Sequence, residues 1–311
     1  MVKALRSCCG LSPCVLALIL TSHTPAAASQ QAIAPLPSAA QPAPAAAPAN
    51  TWSPDDIAAA KTECASLLKG LDLDFSYLAP IKQGQCGAPQ PIELRAFGSD
   101  PRVTIDPPAT LDCKMAATLT HWFASTLQPL ANTWLKSKVT VIRNAASYDC
   151  RNRIGDPTAR LSEHAKANAI DIVSFTTAAG ATVAVGAGWG PTLRGLLAAP
   201  ASSAAPQVAA AGGFKTAVEP AIAASAQPEL AALAAKLHKG SDAIRQARLA
   251  EAAKRGIAVP KPATPEAVFL HAAHDTACNI FGTVLGPEAN DAHKDHFHLD
   301  MTARAGSAYC Q

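Results

Sequence analysis

Two stretches decide how this chain is read: Ile170-Asp171-Ile172-Val173-Ser174-Phe175 and His293-Lys294-Asp295-His296-Phe297-His298-Leu299-Asp300. The first is rich in β-branched residues, and the second alternates polar and apolar from His296 onward, so each predicts a strand. Successive strand side chains point to opposite faces. His296, His298 and Asp300 then share one face, and Phe297, Leu299 and Met301 share the other. The apolar face belongs to a core, which leaves the polar face looking onto a site. The same rule places Asp171 on a face with Val173 and Phe175. A carboxylate in apolar company is costly unless a cation or several donors meet it. If the two strands are neighbours, Asp171 meets His298, and His164, on the loop entering the first strand, supplies a third donor.

Two neutral imidazoles and one carboxylate suit Zn2+, with bonds of about 2.0–2.2 Å. Three protein ligands leave a fourth position for water, which marks a catalytic rather than a structural site. Such an ion acidifies water and polarises a carbonyl, as metal-assisted amide hydrolysis requires. His293 and His296 are left over for proton chemistry. Either spacing alone, H-x-H or H-x6-D, is common by chance; their joint presence carries the reading.

Other candidates are read more plainly. Glu163 reads as a solvated loop acid. Ser162 reads as a group that bonds backbone or ligand, since no nucleophile-elbow motif surrounds it. His271, His274 and Cys278 share a helix face at i, i+3 and i+7, where a second metal site competes with a disulfide flanked by imidazoles at the groove wall or surface. The second reading is preferred. His121 and His238 read as ordinary helix histidines.

Upstream, Lys3 and Arg6, an apolar run from Val15 to Leu20 and Ala26-Ala27-Ala28 read as a secretory signal over residues 1–28. No stable membrane span is expected once it is removed. Residues 29–52 are mostly Ala, Pro, Gln and Ser and predict a disordered linker. Of nine cysteines, six then remain: Cys64, Cys86, Cys113, Cys150, Cys278 and Cys310. In an exported chain this suggests a disulfide framework. The working expectation pairs neighbours: Cys64 with Cys86, Cys113 with Cys150, Cys278 with Cys310. A net charge of +3 without a basic stripe argues against nucleic acid.

Residues 53–311 are expected to be one α+β domain: a small, mainly antiparallel sheet flanked by helices and stapled by disulfides. Predicted helices run from Ser53 to Leu68, Thr110 to Trp134, with Pro129 as a kink or break, and Pro265 to Phe281. Predicted strands are Pro91–Phe97, Val139–Arg143, a hairpin of Ile170–Phe175 with Ala181–Val185, then Thr283–Leu285, and lastly His296–Met301. An Ala-rich insertion at about 190–262, helical or disordered, interrupts the domain, with Gln227–Lys254 as its helical part.

The chain resembles bacterial extensin-like carboxyl-terminal domain proteins. The matching pieces are Cys86-Gly87, Pro107 through Cys113, Ser147-Tyr148-Asp149-Cys150-Arg151, Leu161 through His164, Ala169 through Ile172, Ala277-Cys278, Val284 through Pro287 and His293 through Asp300. It is also similar to the zinc peptidase superfamily of murein endopeptidases and D-alanyl-D-alanine carboxypeptidases, whose fold the hedgehog amino-terminal domain shares. That resemblance implies metal ligands at His164, Asp171 and His298. It implies that His296 and His293 handle protons or stabilise a tetrahedral intermediate. Arg151 takes a place similar to an arginine near the substrate, although Asp149 and Cys150 intervene after Tyr148; the other reading of Arg151 is a salt bridge. Carboxypeptidase relatives carry a glutamate base shortly before the final histidine, where this chain has Asp295. Asp300 and Ser162 are expected to support the ligands. The implied activity is hydrolysis of an amide bond in peptidoglycan peptide stems, in the periplasm or outside the cell. The alternatives are a metal-containing module that binds a cell-wall polymer without cutting it, and a structural envelope protein.

Overall fold

The computed structural model describes residues 50–199, 239–304 and 308–311. The expected signal, nearly all of the linker, the middle of the insertion and His238 lie outside the described residues. Helix α1 (Pro54–Leu68) begins where its sequence signals place it. Ser53 accepts from the Asp56 N–H, Pro54 occupies the first turn, and Asp55 and Asp56 face the positive helix end. Strands β1 (Leu73–Tyr77), β2 (Ile81–Gln83), β3 (Cys86–Ala88), β4 (Pro91–Phe97) and β5 (Val103–Asp112) follow.

Thr110, Leu111 and Asp112 close β5 rather than open a helix, correcting the sequence expectation. The apolar spacing from Leu111 to Met115 and Leu119 imitates a helix stripe. The true start is set by Asp112, whose carboxylate accepts from the Met115 N–H at 2.7 Å. From there run α2 (Cys113–Trp122), a π-helical turn (Phe123–Leu127) and α3 (Gln128–Trp134). The wide turn lies just before Pro129, which has no N–H to continue the ladder.

Next come β6 (Val139–Ala146), β7 (Ala169–Thr177), β8 (Thr182–Ala184), α4 (Val185–Trp189) and α5 (Leu193–Ala198). Past the insertion lie α6 (Lys239–Lys254), α7 (Pro265–Ala277), β9 (Thr283–Leu285), β10 (Phe297–Asp300) and β11 (Tyr309–Cys310). The last strand is therefore β11, two residues long, rather than β10. Nine strands make one sheet in the order β1-β4-β5-β6-β7-β10-β9-β11, with β8 also paired to β7, and β2 and β3 form a separate hairpin. All pairings are antiparallel except β5 with β6 and β9 with β11.

One sheet face packs against the helices through aromatic rings. Phe175 of β7 lies 5.5 Å from Phe269 of α7 and 6.2 Å from both Phe297 of β10 and Phe123, centroid to centroid. Each is fully buried, and burying such a side chain contributes about 1.5–3 kcal/mol. Phe175 does not share a face with Asp171, as simple alternation predicted. The β6–β7 register pairs Asn144 with Ile172 but Arg143 with Ser174, so Val173 is an extra residue. This bulge turns Phe175 into the core beside Ile170 and Ile172 and leaves Asp171 facing the other way.

Three disulfides staple the fold: Cys64–Cys113, Cys86–Cys150 and Cys278–Cys310. Neighbour pairing holds only for the last. The β4–β5 hairpin brings α2 back to α1, joining Cys113 to Cys64. That leaves Cys86 of β3 to tie the loop after β6 at Cys150. Disulfides of this kind fit an exported protein. Among the described residues no helix is long and apolar enough to cross a membrane.

Candidate metal centre

Strands β7 and β10 are adjacent and antiparallel, with His298 opposite Asp171 and Leu299 opposite Ile170. Opposed residues share a face. Asp171 and His298 therefore meet on the face away from the aromatic core, while Ile170, Ile172, Phe297 and Leu299 anchor them from below. His164 enters from a single 3-10 turn (Glu163–Lys166). Ser162 starts that turn, its hydroxyl accepting from the His164 N–H at 3.3 Å. Ala167 ends it in the left-handed region, at φ 57°, which turns the chain at once into β7.

Three donor atoms converge. His164 Nε2 lies 3.1 Å from Asp171 Oδ1 and 3.1 Å from His298 Nδ1, and His298 Nδ1 lies 2.9 Å from Asp171 Oδ1. Tetrahedral ligands with bonds of about 2.0–2.1 Å stand roughly 3.3 Å apart, so the triangle is close to one that grips an ion. The outer nitrogens fix the tautomers. His164 Nδ1–H donates to the Ser147 carbonyl at 2.6 Å, and His298 Nε2–H donates to Asp300 Oδ2 at 3.1 Å. Each inner nitrogen is left with its lone pair toward the common point. Asp300 is itself held by the Thr302 N–H at 2.9 Å.

All three side chains are buried, with His164 1 %, Asp171 6 % and His298 8 % exposed. Burial by itself would raise the pKa of Asp171, but hydrogen bonds and charge from His164 and His298 outweigh it and hold the carboxyl well below its usual range. Burial pulls His298 the other way, yet Asp171 and Asp300 push its imidazole up to about 9. Without an ion, a proton is drawn into the triangle; the cluster calls for positive charge. These three residues are a group able to hold a metal ion.

The other expected residues stand around the triangle. His296 Nε2 lies 3.8 Å from Asp171 Oδ2, the oxygen turned away from the triangle. Its Nδ1–H donates to Asp295 Oδ1 at 3.0 Å. Asp295 is thus engaged with His296. His293 has ring centroids 5.3 Å from His296 and 5.8 Å from His298, and its Nδ1–H donates to Asn290 Oδ1 at 2.8 Å. Burial, helped by the charges of His298, His296 and Arg151, pushes its pKa down to about 4, so it is neutral at neutral pH. Arg151 pairs with Asp149 at 2.7 Å in a half-exposed ion pair on the rim.

Two readings change. Glu163 is buried, not solvated: its oxygens take Lys166 Nζ at 2.9 Å and Asn168 Nδ2 at 2.7 Å, bracing the turn that carries His164. Among the described residues the group able to hold an ion includes neither His271 nor His274; what changes is where their rings lie. His271 stacks on Trp189 at 3.7 Å, while His274 is buried in the core instead of lining a groove, and one nitrogen of each reaches a backbone carbonyl. His121 is exposed, as an ordinary helix histidine would be. The sequence reading missed the Ser147 carbonyl, which is a backbone group and leaves no trace in residue type. It also missed Asn290, whose place three residues before His293 was a readable signal.

The fold and site together define a disulfide-stapled α+β domain with a His/Asp cluster able to bind a metal. The chain belongs to the family described as extensin-like protein C-terminus, whose model matches residues 62–225 and 235–311. No curated protein and no solved structure matches it.

Proposed function

We propose that this chain is an exported zinc-dependent hydrolase that cleaves an amide bond in peptidoglycan peptide stems. The observation that carries the reading is the convergence of His164 Nε2, Asp171 Oδ1 and His298 Nδ1 within 2.9–3.1 Å of one another. Two imidazoles with fixed tautomers and one ionised carboxylate are a three-ligand donor set of the kind that suits zinc. When bound, the ion supplies Lewis acidity toward a carbonyl oxygen and an acidified water.

The surrounding residues suit the remaining steps. His296 offers Nε2 toward the site with Asp295 behind it, so it takes the proton of the attacking water and passes it to the leaving nitrogen as the C–N bond breaks. Arg151 is the cationic group suited to stabilise the oxygen of the tetrahedral intermediate. His293, neutral and with its Nδ1–H given to Asn290, keeps a lone pair on Nε2 and suits proton acceptance instead. On this reading the Asp295–His296 pair takes the part of the glutamate base found in the carboxypeptidases that the sequence resembles. Three disulfides suit a cell-wall compartment.

The test is incubation of purified protein with peptidoglycan fragments, with and without a chelator, and product masses as the readout. New fragments that vanish with chelator, and that fall in His296→Ala while zinc stays bound, support the reading. Bound zinc with intact fragments in every condition would leave a metal-containing module that binds the polymer without cutting it.

A further inference from the structure

The loop carrying His293 and His296 is held by groups that touch none of the three triad donors. Glu288 accepts the backbone N–H of Leu193 at 2.8 Å and of Arg194 at 3.2 Å, where α5 begins. Arg194 returns Nη1 to Asp291 Oδ1 at 2.6 Å and Nη2 to the Pro287 carbonyl at 3.4 Å. Arg248 of α6 donates to the carbonyls of Glu288 and Ala289. Both stems of the Ala-rich insertion therefore grip residues 287–291. The next contact along the chain is Asn290, which accepts from His293. At the far end of the loop, a Cβ on Gly186 of α4 would come 3.0 Å from both Cα and Cβ of Asp295, the partner of His296. The triad is held separately, by Ser147, Asp300 and the β7–β10 register.

We infer that Glu288 is a positioning residue for His293 and His296, locking their loop to α5 without setting the geometry of the metal triad. The insertion stems then serve proton handling, and the sheet serves the metal. This rests on the functional reading above. A loop carrying proton-transfer groups tolerates little drift, because a misplacement of about 1 Å can cost roughly 100-fold in rate.

The experiment compares Glu288→Ala, Glu288→Gln and Gly186→Ala in the full chain. Three readouts are taken: zinc affinity by competition with a chromophoric chelator, histidine ring resonances by 1H–15N NMR, and kcat and KM on peptidoglycan fragments. Zinc affinity should stay within about threefold of the parent, as expected for separately held groups. The rings of His293 and His296 should shift while that of His164, which has no ring contact with either, does not. In Glu288→Ala, kcat should fall by about 10–100-fold with little change in KM, and Glu288→Gln should recover part of it. Unmoved His293 and His296 rings, or zinc affinity falling in step with kcat, would overturn the assignment. Gly186→Ala gives the same decision if Glu288→Ala does not fold. A parent chain that binds no zinc would end the functional reading, whereas the ring resonances of the metal-free chain would still decide the role of Glu288.

Discussion

Among the described residues, the His164/His298 pair and the His271/His274 pair make a contrast: the first converges on a carboxylate and the second does not. His164 and His298 come from a turn and a strand far apart in sequence. Each spends its outer nitrogen on an oxygen behind it and aims its inner nitrogen at Asp171 Oδ1. His271 and His274 sit three residues apart on α7, a spacing that looks more like a metal motif. There one ring nitrogen of each goes to a backbone carbonyl, and the rings pack against Trp189 and Phe297. Spacing along a helix brings rings near each other. A donor set needs free lone pairs aimed at one point that a third ligand shares, as Asp171 Oδ1 does for His164 and His298; His271 and His274 belong to no such group.

The sharpest way to break the contrast is to remove the shared carboxylate. Asp171→Asn should lower zinc affinity by more than the roughly 10–100-fold that an outer partner costs, measured by chelator competition. Unchanged affinity would place the metal elsewhere or nowhere. Asp300→Ala tests the tautomer lock and should cost about 10–100-fold in affinity, with the fold retained by circular dichroism.

The two regions should also respond to pH with opposite sign. In the metal-free chain the His298 imidazole is pushed up to about 9, mainly by Asp171 and Asp300 against the effect of burial. Its proton therefore adds stability that is complete below the ordinary histidine value of about 6.5 and is lost as pH rises through 9. Burial lowers the pKa of His271. That group instead subtracts stability as pH falls below about 6.5, because the unfolded chain takes up the proton more readily. Ring titrations by NMR in chelator should find His298 titrating on the alkaline side and His271 on the acid side. If zinc binds the triangle as proposed, it displaces the His298 proton, and adding it should abolish the alkaline loss of melting temperature.

The smallest effect is expected from His271→Ala. It removes a stacking contact and a hydrogen bond worth about 1–2 kcal/mol together. Denaturant melts should register that loss while zinc affinity stays unchanged. A fall in affinity would mean that α7 contributes to the metal site after all.

Much of the fold was legible in the chain. The limits of β4 and β9 follow from their residue pattern, and the start of α1 from Ser53, Pro54 and Asp55. His298 and Asp300 share the face that alternation assigned them. The failures have specific causes. The stripe from Leu111 to Leu119 runs across a strand end and a helix start, because β5 happens to bury Leu111 where a helix would. The bulge at Val173 depends on register with β6, which no local pattern of β7 encodes. Glu163 looked solvated because its partners Lys166 and Asn168 enclose it only once the turn has formed.

By itself the sequence determined the chemical inventory: His164, Asp171 and His298 as donors, His293 and His296 as spare imidazoles, and six cysteines for oxidation. Residue type and strand alternation are local properties, so they can be read in one dimension. The tertiary structure alone decided which atoms meet. His298 is separated from Asp171 by 127 positions and from His164 by 134, and their convergence depends on sheet register to within one residue, since a slip of one would turn His298 into the core. The pairing of Cys64 with Cys113 and of Cys86 with Cys150 was settled in the same way, by which elements the sheet and its hairpins bring side by side.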